Sequence, residues 1–327
     1  MDALIQSGID WIIAIQSLGG WLEYPMKFFT FLGNENFFFL VLPLIYWSLN
    51  AGLGLRIALI LVSGSGLNFV GKYLFAGPRP YWLSAQVQPF AVEHSFGIPS
   101  NHAQTSAALW GTMAAWVGKR WVWVAAILIT FLAGFSRLYL GLHFVHDVLA
   151  GWLIGYVLLF LFLKFWDPVA AWFKTKTLPQ QIGAAFGISL LLIVLGLLSN
   201  AHLDGYEFPA EWADNALRAG PLPEPASIEN IFTAAGSLFG MAAGVAWLAS
   251  RGGYQTEGSV TQRALRYVIG LIGVMILWEG LGAVLPRGEE WFPLLLRYAR
   301  YTLVGSWITA GAPWLFFHFK LARKPKM

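Results

Sequence analysis

The chain from residue 121 to residue 160 reads WVWVAAILITFLAGFSRLYLGLHFVHDVLAGWLIGYVLLF. Two long apolar runs flank a short link, and Ser136, Arg137, His143 and Asp147 lie in or beside that link. A backbone that crosses hydrocarbon must satisfy its own polar groups, and an α-helix of about 20 apolar residues does so. The stretch therefore predicts two membrane helices whose junction carries chemically active side chains.

The composition of the whole chain supports this interpretation. Of 327 residues, 57% are hydrophobic and 12% are charged, whereas soluble domains have roughly 45–50% and about 25%. We predict an all-α fold, a polytopic membrane bundle of about nine transmembrane helices with an N-terminal interfacial helix. The chain contains no cysteine, which excludes disulfides and thiolate metal sites.

The apolar runs predict the individual spans. The segment before them mixes Ile9, Trp11 and Ile12 with polar residues, so we expect it to lie along the membrane surface, a tenth span being the alternative. The first span is short and contains Pro43. The predicted spans are 36–50, 55–75, 102–118, 121–140, 146–166, 181–199, 229–250, 264–285 and 300–318.

The distribution of charge predicts the orientation, because cytoplasmic loops are rich in Lys and Arg. The loop at 200–228 is acidic and is expected outside, together with loops 77–101 and 140–145. We therefore expect a multi-pass protein of a bacterial inner membrane with a cytoplasmic C-terminus. Asp2 and Asp10 argue against a cleavable signal peptide. The basic residues assigned to the cytoplasmic side are Lys119, Arg120, Lys164, Lys174, Lys176, Arg251, Arg263, Arg266, Lys320, Arg323, Lys324 and Lys326.

Histidines lie at the start of two spans. His143 and Asp147 are four residues apart and share one helical face, where the carboxylate can hold one ring nitrogen and leave the other as a nucleophile. The alternative is a purely structural role, in which Asp147 is present because the helix dipole favours a negative charge at a helix N-terminus. Ser100 is a good N-cap for the run that begins after His102, and a histidine there can protonate a leaving oxygen. The alternative is that Ser100 only caps the helix and that His102 only lies at the membrane interface.

Three cations accompany these histidines. Lys72 ends one span, Arg79 lies in the adjoining loop, and Arg137 ends another span. Arginine presents a planar fork to phosphate oxygens, whereas lysine acts as a point charge. Interfacial anchoring by long side chains is the alternative, but these cations lie on the outer side, where such anchors are not expected. The basic residues form no continuous stripe, so no nucleic-acid partner is predicted.

The clusters follow one another in a strict order. They comprise Lys72 and Arg79-Pro80 with six residues between, then Pro99-Ser100-Asn101-His102, then Ser136-Arg137, five residues, His143, three residues and Asp147. In these motifs the chain resembles the type 2 phosphatidate phosphatase superfamily, which includes membrane lipid phosphatases, glucose-6-phosphatase, bacterial acid phosphatases and vanadium-dependent haloperoxidases. The resemblance covers roughly residues 30–166. That family usually has glycine where this chain has Asn101.

The resemblance implies a role for each motif residue. His143 would attack phosphorus and form a phosphohistidine, Asp147 would orient it, and His102 would protonate the leaving oxygen and then activate water. No cofactor or metal would be needed. A metal site built from His102, His143, His146 and Asp147 is a rival that the neighbouring cations disfavour. The expected phosphate-binding residues are Lys72, Arg79, Ser100, Asn101 and Arg137.

The sequence leaves the function open between three classes. The resemblance implies a membrane phosphatase acting on a lipid phosphate or polyprenyl diphosphate, with the lipid bilayer as its surroundings. A glucose-6-phosphatase-like hydrolase of a soluble sugar phosphate is the alternative that the stretch 67–82 favours. We predict a catalytic core at 1–170 and a four-helix region of unknown role at 171–327. Because the second region lacks the motifs, a non-catalytic lipid transporter or binder is a third possibility.

Overall fold

The computed structural model describes residues 3–323, which contain α-helices and no β-strand. The predicted all-α class is confirmed. Asp2, Lys324 and Lys326 lie outside the described residues. In chain order the helices are α1 (Ala3–Gln16), α2 (Glu23–Phe31), α3 (Glu35–Leu44), α4 (Ala51–Phe75), α5 (Pro80–Leu83), α6 (Asn101–Val117), α7 (Arg120–Tyr139), α8 (Val145–Lys174), α9 (Leu178–Asn200), α10 (Ala210–Leu217), α11 (Glu229–Ala249), α12 (Val260–Met275), α13 (Leu281–Val284), α14 (Trp291–Ser306) and α15 (Ala312–His318).

Six helical segments within residues 3–323 are long and apolar enough to cross a membrane. The protein is therefore a multi-pass integral membrane protein. The other three predicted spans correspond to the helix Phe37–Leu49, to α6 and to the α14–α15 region. These three are not among the six segments, so the count of nine transmembrane helices remains a prediction. The six segments are Ala51–Leu83, Arg120–Tyr139, Val145–Lys174, Leu178–Leu203, Glu229–Ala249 and Val260–Val284.

The chain forms two compact units that alternate along the sequence. Unit 1 comprises Met1–Phe37, Leu67–Phe160 and Leu197–Ser227, and it contains all the motif residues. Unit 2 comprises Phe38–Gly66, Leu161–Gly196 and Ile228–Met327. The predicted division at residue 170 concerns the roles of the two regions and remains a prediction.

The N-terminal helix α1 packs its apolar face against protein. Ile9 and Ile12 are buried, whereas Trp11 is 63% exposed. At the end of the helix, the Gln16 amide donates to the carbonyl oxygens of Gln88 (2.7 Å) and Tyr139 (2.9 Å). These contacts fasten α1 to the end of α7 in unit 1. Its predicted position along a membrane surface remains a prediction.

Two glycines in α8 bring that helix close to α6. A Cβ atom added at Gly151 would overlap the carbonyl oxygen of Ser100, and one at Gly155 would lie 2.6 Å from that of Gln104. Small residues four apart on one helix allow such a close approach in membranes. As a result, the Ser100 N–H donates to the Asp147 carbonyl oxygen at 3.0 Å. The helix starts that carry the second and third motifs are thereby joined.

The link between α7 and α8 turns sharply at Gly141. This residue has φ of 73°, a left-handed conformation that favours glycine. A Cβ there would also lie 2.5 Å from the Gln88 carbonyl oxygen. After the turn, the N–H groups of Leu142 and His143 donate to the Arg137 carbonyl oxygen at 3.1 and 3.3 Å. The turn therefore returns His143 to the end of the helix that carries Arg137.

Unit 2 has its own core. Trp47 is fully buried, packs edge-on against Phe316 and donates its indole N–H to the Ile308 carbonyl oxygen at 2.8 Å. Glu229 and Arg297 form an ion pair between α11 and α14. None of the motif residues lies in this unit.

Candidate active site

His143 and Asp147 form the centre of the site in unit 1, and both are 1% exposed. The Nδ1 atom of His143 lies 3.2 Å from Oδ2 of Asp147. The same carboxylate oxygen accepts the backbone N–H of Phe144 at 3.0 Å. The carboxylate is thus fixed by the first turn of its own helix, and it holds one side of the imidazole ring.

Arg79 contacts the other side of the ring. Its NH1 group lies 3.3 Å from Nε2 of His143 and also donates to the Leu142 carbonyl oxygen at 2.9 Å. Because a guanidinium only donates, Nε2 must be the unprotonated nitrogen in this contact, and Nδ1 then carries the proton toward Asp147. The pKa of His143 is held well below its ordinary value, chiefly by burial and further by the charges of Arg79 and Arg137. The ring is therefore neutral and presents a nucleophilic lone pair at Nε2.

A short loop segment ties down Lys72 and Arg79. The Lys72 ammonium donates to the carbonyl oxygens of Phe96 and, at 3.3 Å, Gly97. Arg79 donates from Nε to the Ser95 carbonyl oxygen at 2.7 Å, and from NH2 to the Ser95 hydroxyl at 3.2 Å and the Phe96 carbonyl oxygen at 3.1 Å. Both cations are almost fully buried. Their positive charges are consequently held in place beside His143.

Arg137 completes the positive side of the site. Its NH1 group donates to the Thr30 hydroxyl at 2.6 Å, and its NH2 group is paired with the Glu93 carboxylate. Its Nε atom is buried and has no hydrogen-bond partner in the described part of the chain. A buried donor without an acceptor is costly, so this guanidinium is suited to accept an additional anionic ligand.

Glu93 is a site residue that the motif analysis missed. It pairs with Arg137 and lies 3.4 Å from NH2 of Arg79. Burial alone would raise the pKa of the Glu93 carboxyl, but Arg79 and Arg137 outweigh it and hold the pKa well below its usual range. Glu93 is the only acidic residue between Lys72 and Asp147 in the sequence. A lone acid between two cationic motifs was the signal available.

The start of α6 contributes Ser100, Asn101 and His102. Ser100 occupies the N-cap position with extended backbone angles, yet its hydroxyl makes no capping hydrogen bond. That hydroxyl is fully buried and has no partner within residues 3–323. The start of a helix carries partial positive charge, and together with a hydroxyl at the N-cap it suits an anion. Arg137 and Glu93 both act electrostatically on the half-buried His102 ring, which in turn acts on His143.

His146, an exposed residue, contacts the Asp147 carboxylate. Its side chain is 63% exposed, and Nε2 lies 3.2 Å from Oδ1 of Asp147. The ring also stacks on Phe144 at a centroid distance of 5.2 Å. The sequence had suggested His146 only as a ligand of the disfavoured metal site. Within residues 3–323, no group of three or more His, Asp or Glu side chains has a metal-binding arrangement.

The comparisons with known proteins agree with these motifs. Residues 53–170 match the family model of the PAP2 superfamily, and residues 232–324 match that of the PAP2 superfamily phosphatase, transmembrane extension. Phosphatidylglycerophosphatase B of Bacillus subtilis is 33% identical over 173 residues, which are 48% of this chain and 80% of that protein. The chain belongs to the PAP2 superfamily. The resemblance inferred from the motifs is thereby confirmed.

Other PAP2 relatives have different substrates in their names. Glucose-6-phosphatase 3 of Homo sapiens is 32% identical over 222 residues, which are 60% of this chain and 60% of that protein. Sphingosine-1-phosphate phosphatase 2 of Mus musculus is 30% identical over 152 residues, 45% of this chain and 43% of that protein. The crystal structure of a transmembrane PAP2 type phosphatidylglycerolphosphate phosphatase from Bacillus subtilis is 28% identical, with a TM-score of 0.44, covering 51% of this chain and 89% of that one.

In this PAP2 protein, part of the acidic loop packs beside the site. The Tyr206 ring lies edge-on against the Phe96 ring, with 5.5 Å between the ring centroids. The rings of Phe208 and Trp212 pack against Trp82 at centroid distances of 5.1 and 6.3 Å. The aromatic side chains of this segment thus face the residues next to Lys72 and Arg79. Its acids, by contrast, are exposed, and they are Asp204, Glu207, Glu211, Asp214 and Glu224.

Proposed function

We propose that this PAP2 protein is a membrane phosphatase that releases phosphate from a lipid phosphate or a polyprenyl diphosphate through a phosphohistidine at His143. The observation that carries the proposal is the position of the His143 ring between Asp147 at Nδ1 and Arg79 at Nε2. This arrangement leaves a neutral ring whose unprotonated nitrogen faces Arg79, one of the cations that would hold a phosphoryl group and from which Nε2 must part before it attacks.

The proposed reaction has two displacements at phosphorus. In the first, Nε2 of His143 forms a bond to phosphorus while the bond to the leaving oxygen breaks, and His102, which enters this step protonated, gives that oxygen a proton and becomes neutral. In the second, neutral His102 takes a proton from water, the oxygen of that water attacks phosphorus, and the bond to Nε2 breaks. Phosphate leaves and both rings return to their starting state. Asp147 stabilises the positive charge that the His143 ring carries between the two steps.

The cations supply the electrostatic part of the proposal. Lys72, Arg79 and Arg137 all act electrostatically on the His143 ring and on one another. In the transition state, negative charge spreads over the three equatorial phosphoryl oxygens, and fixed donors there lower the barrier. The Ser100 hydroxyl and the Asn101 N–H are the neutral donors that we assign to the same oxygens. We place the site on the non-cytoplasmic side, since the basic loops lie on the other.

A soluble sugar phosphate is the second candidate substrate. The similarity to Glucose-6-phosphatase 3 covers 60% of this chain, whereas that to Phosphatidylglycerophosphatase B covers 48%. The chain aligns with only 60% of the length of the first, so the comparison supports a candidate substrate class and no more. The lipid class is favoured by the two relatives named for phosphorylated lipids.

A substrate panel in detergent tests the proposal. Phosphatidate, phosphatidylglycerol phosphate, undecaprenyl diphosphate and glucose 6-phosphate would be supplied with excess chelator, and released phosphate would be measured. We expect turnover of at least one lipid, complete loss in His143→Ala, and wild-type turnover in the control His202→Ala, whose ring is exposed in the same unit. Chelator-sensitive activity that zinc restores would reject the mechanism. Lipid movement that persists in His143→Ala without phosphate release would instead favour a transporter.

A further inference from the structure

The two arginines of the proposed phosphate site share one internal carboxylate. Oε1 of Glu93 pairs with NH2 of Arg137, and Oε2 lies 3.4 Å from NH2 of Arg79. A carboxylate and a phosphoryl group both present paired oxygens to guanidinium groups. Glu93 therefore uses the donors that a substrate phosphate would need.

Arg79 has no donor left for another ligand while Glu93 is in place. Its Nε group donates to the Ser95 carbonyl oxygen, and NH1 donates to the Leu142 carbonyl oxygen and to Nε2 of His143. NH2 faces Ser95, Phe96 and Glu93. Among these contacts of NH2, the one with Glu93 is the longest. A guanidinium has five N–H donors in a fixed plane, so an incoming anion must replace one of these acceptors.

The Glu93 side chain has a route out of the site. It is 21% exposed, in contrast to the arginines, which are at most 2% exposed. The Tyr81 hydroxyl donates to the Glu93 carbonyl oxygen at 3.3 Å, so the backbone is held where it is. Rotation of the side chain alone can thus free both guanidinium groups. Since the depressed pKa keeps the carboxyl ionised at neutral pH, it competes as an anion under working conditions.

We propose that Glu93 is an affinity-determining residue that occupies the arginine pair in the resting site and is displaced by the substrate phosphoryl group. The inference rests on the proposed function, because it concerns the same anion site. It assigns Glu93 a role opposite to that of a permanent counter-ion. A permanent counter-ion would stay bound and orient both arginines for the substrate, whereas a displaced one weakens the binding of every anion that enters.

The sign of the change in anion affinity separates these two roles. Glu93→Gln keeps the size of the side chain and removes the competing charge, so we expect vanadate and inorganic phosphate to inhibit about tenfold more tightly and KM to fall. A change in affinity of about tenfold is the size expected when the incoming anion no longer has to displace a charge-assisted hydrogen bond. The matched control is Glu207→Gln, which makes the same change at an exposed position of the same unit, and its inhibition constants should equal those of the wild type. Weaker inhibition with a raised KM in Glu93→Gln would overturn the inference.

A second variant and a second measurement cover failure of Glu93→Gln to fold. Glu93→Asp retains the charge but shortens the reach, so it should tighten vanadate inhibition by a smaller factor. Thermal unfolding with and without vanadate provides a readout that needs no substrate, and the vanadate-induced rise in Tm should be larger in either variant than in the wild type. A smaller rise would contradict the inference. A wild type that neither binds vanadate nor releases phosphate would defeat the proposed function instead.

Discussion

The backbone N–H of Ser100 donates to the carbonyl oxygen of Asp147 at 3.0 Å, although 46 residues lie between them in the sequence. This bond links the N-cap of α6 to the first turn of α8. It exists because Gly151, one turn further along α8, allows the backbone of Ser100 to approach closely. The distance between the proposed acid at His102 and the proposed nucleophile at His143 therefore depends on helix packing.

We predict that Gly151→Ala loses activity through this packing. The added methyl group would overlap the Ser100 carbonyl oxygen and lie 2.9 Å from Cβ of Ala103, so α6 and α8 must separate. Overpacking of this kind costs about 1–3 kcal/mol. We expect a lower Tm in thermal unfolding and a rate of phosphate release that falls by about tenfold or more.

Gly187→Ala is the matched control for this variant. Gly187 lies within α9, and a Cβ there would meet nothing within 4 Å. Alanine is favoured over glycine inside a helix by about 1 kcal/mol, so Tm should stay the same or rise, with unchanged turnover. Equal losses in both variants would show that glycine flexibility, and not close packing, matters.

Asp147→Asn tests the charge of the Asp147 carboxylate, the proposed partner of the His143 nucleophile. The amide oxygen can still accept the Phe144 N–H, so the variant should fold. It cannot compensate the positive charge of the His143 ring once Nε2 is bonded to phosphorus, and we expect kcat to fall about a hundredfold or more. Asp214→Asn, at an exposed position of the same unit, should retain wild-type kcat. A loss below about threefold in Asp147→Asn would refute the assigned role.

The sequence predicted those parts of the site that depend on short-range patterns. The spacing of His143 and Asp147 predicted that they share one helical face. The two side chains do meet, but α8 begins at Val145, so His143 lies before the helix and not on it. Ser100 was expected as the N-cap of α6, as observed. The ordered motifs identified the family from the sequence alone. The first two inferences use residues within a few positions of one another, where local backbone geometry determines the relationship.

The contacts that the sequence did not reveal join distant segments. Glu93 and Arg137 are 44 positions apart, and Thr30 and Arg137 are 107 apart. No periodicity connects such pairs, because tertiary packing determines which side chains meet. The acidic loop at 200–228 is a further case, since the sequence predicted only that it lies on the outer side. In the structure its acids are exposed, while Tyr206 and Trp212 face the protein.

Ser100→Ala should separate ligand binding from helix capping. N-cap serine to alanine changes ordinarily cost about 0.5–2 kcal/mol, but the Ser100 hydroxyl makes no capping bond. We therefore expect an unchanged Tm and a KM raised about tenfold or more, the contribution of a hydrogen bond to a charged group.

Ser259→Ala provides the opposite case. Ser259 caps α12 and forms a complete capping box with Gln262, so its replacement should lower Tm and leave KM unchanged. If Ser100→Ala instead lowers Tm and leaves KM unaffected, the hydroxyl serves the helix and not the substrate.

Asn101 departs from the family's usual glycine and lies in the first turn of α6. The contact assigned to this position is made by its backbone N–H, which glycine also has. We predict that Asn101→Gly keeps turnover within about threefold of the wild type or raises it, with a small loss of stability from the lower helix propensity of glycine. Asn101→Asp places a negative charge beside the bound phosphate and should raise KM about tenfold or more. Phosphate release and thermal unfolding measured on both variants test the assignment: a collapse of turnover in Asn101→Gly would show that the side-chain amide itself contacts the substrate.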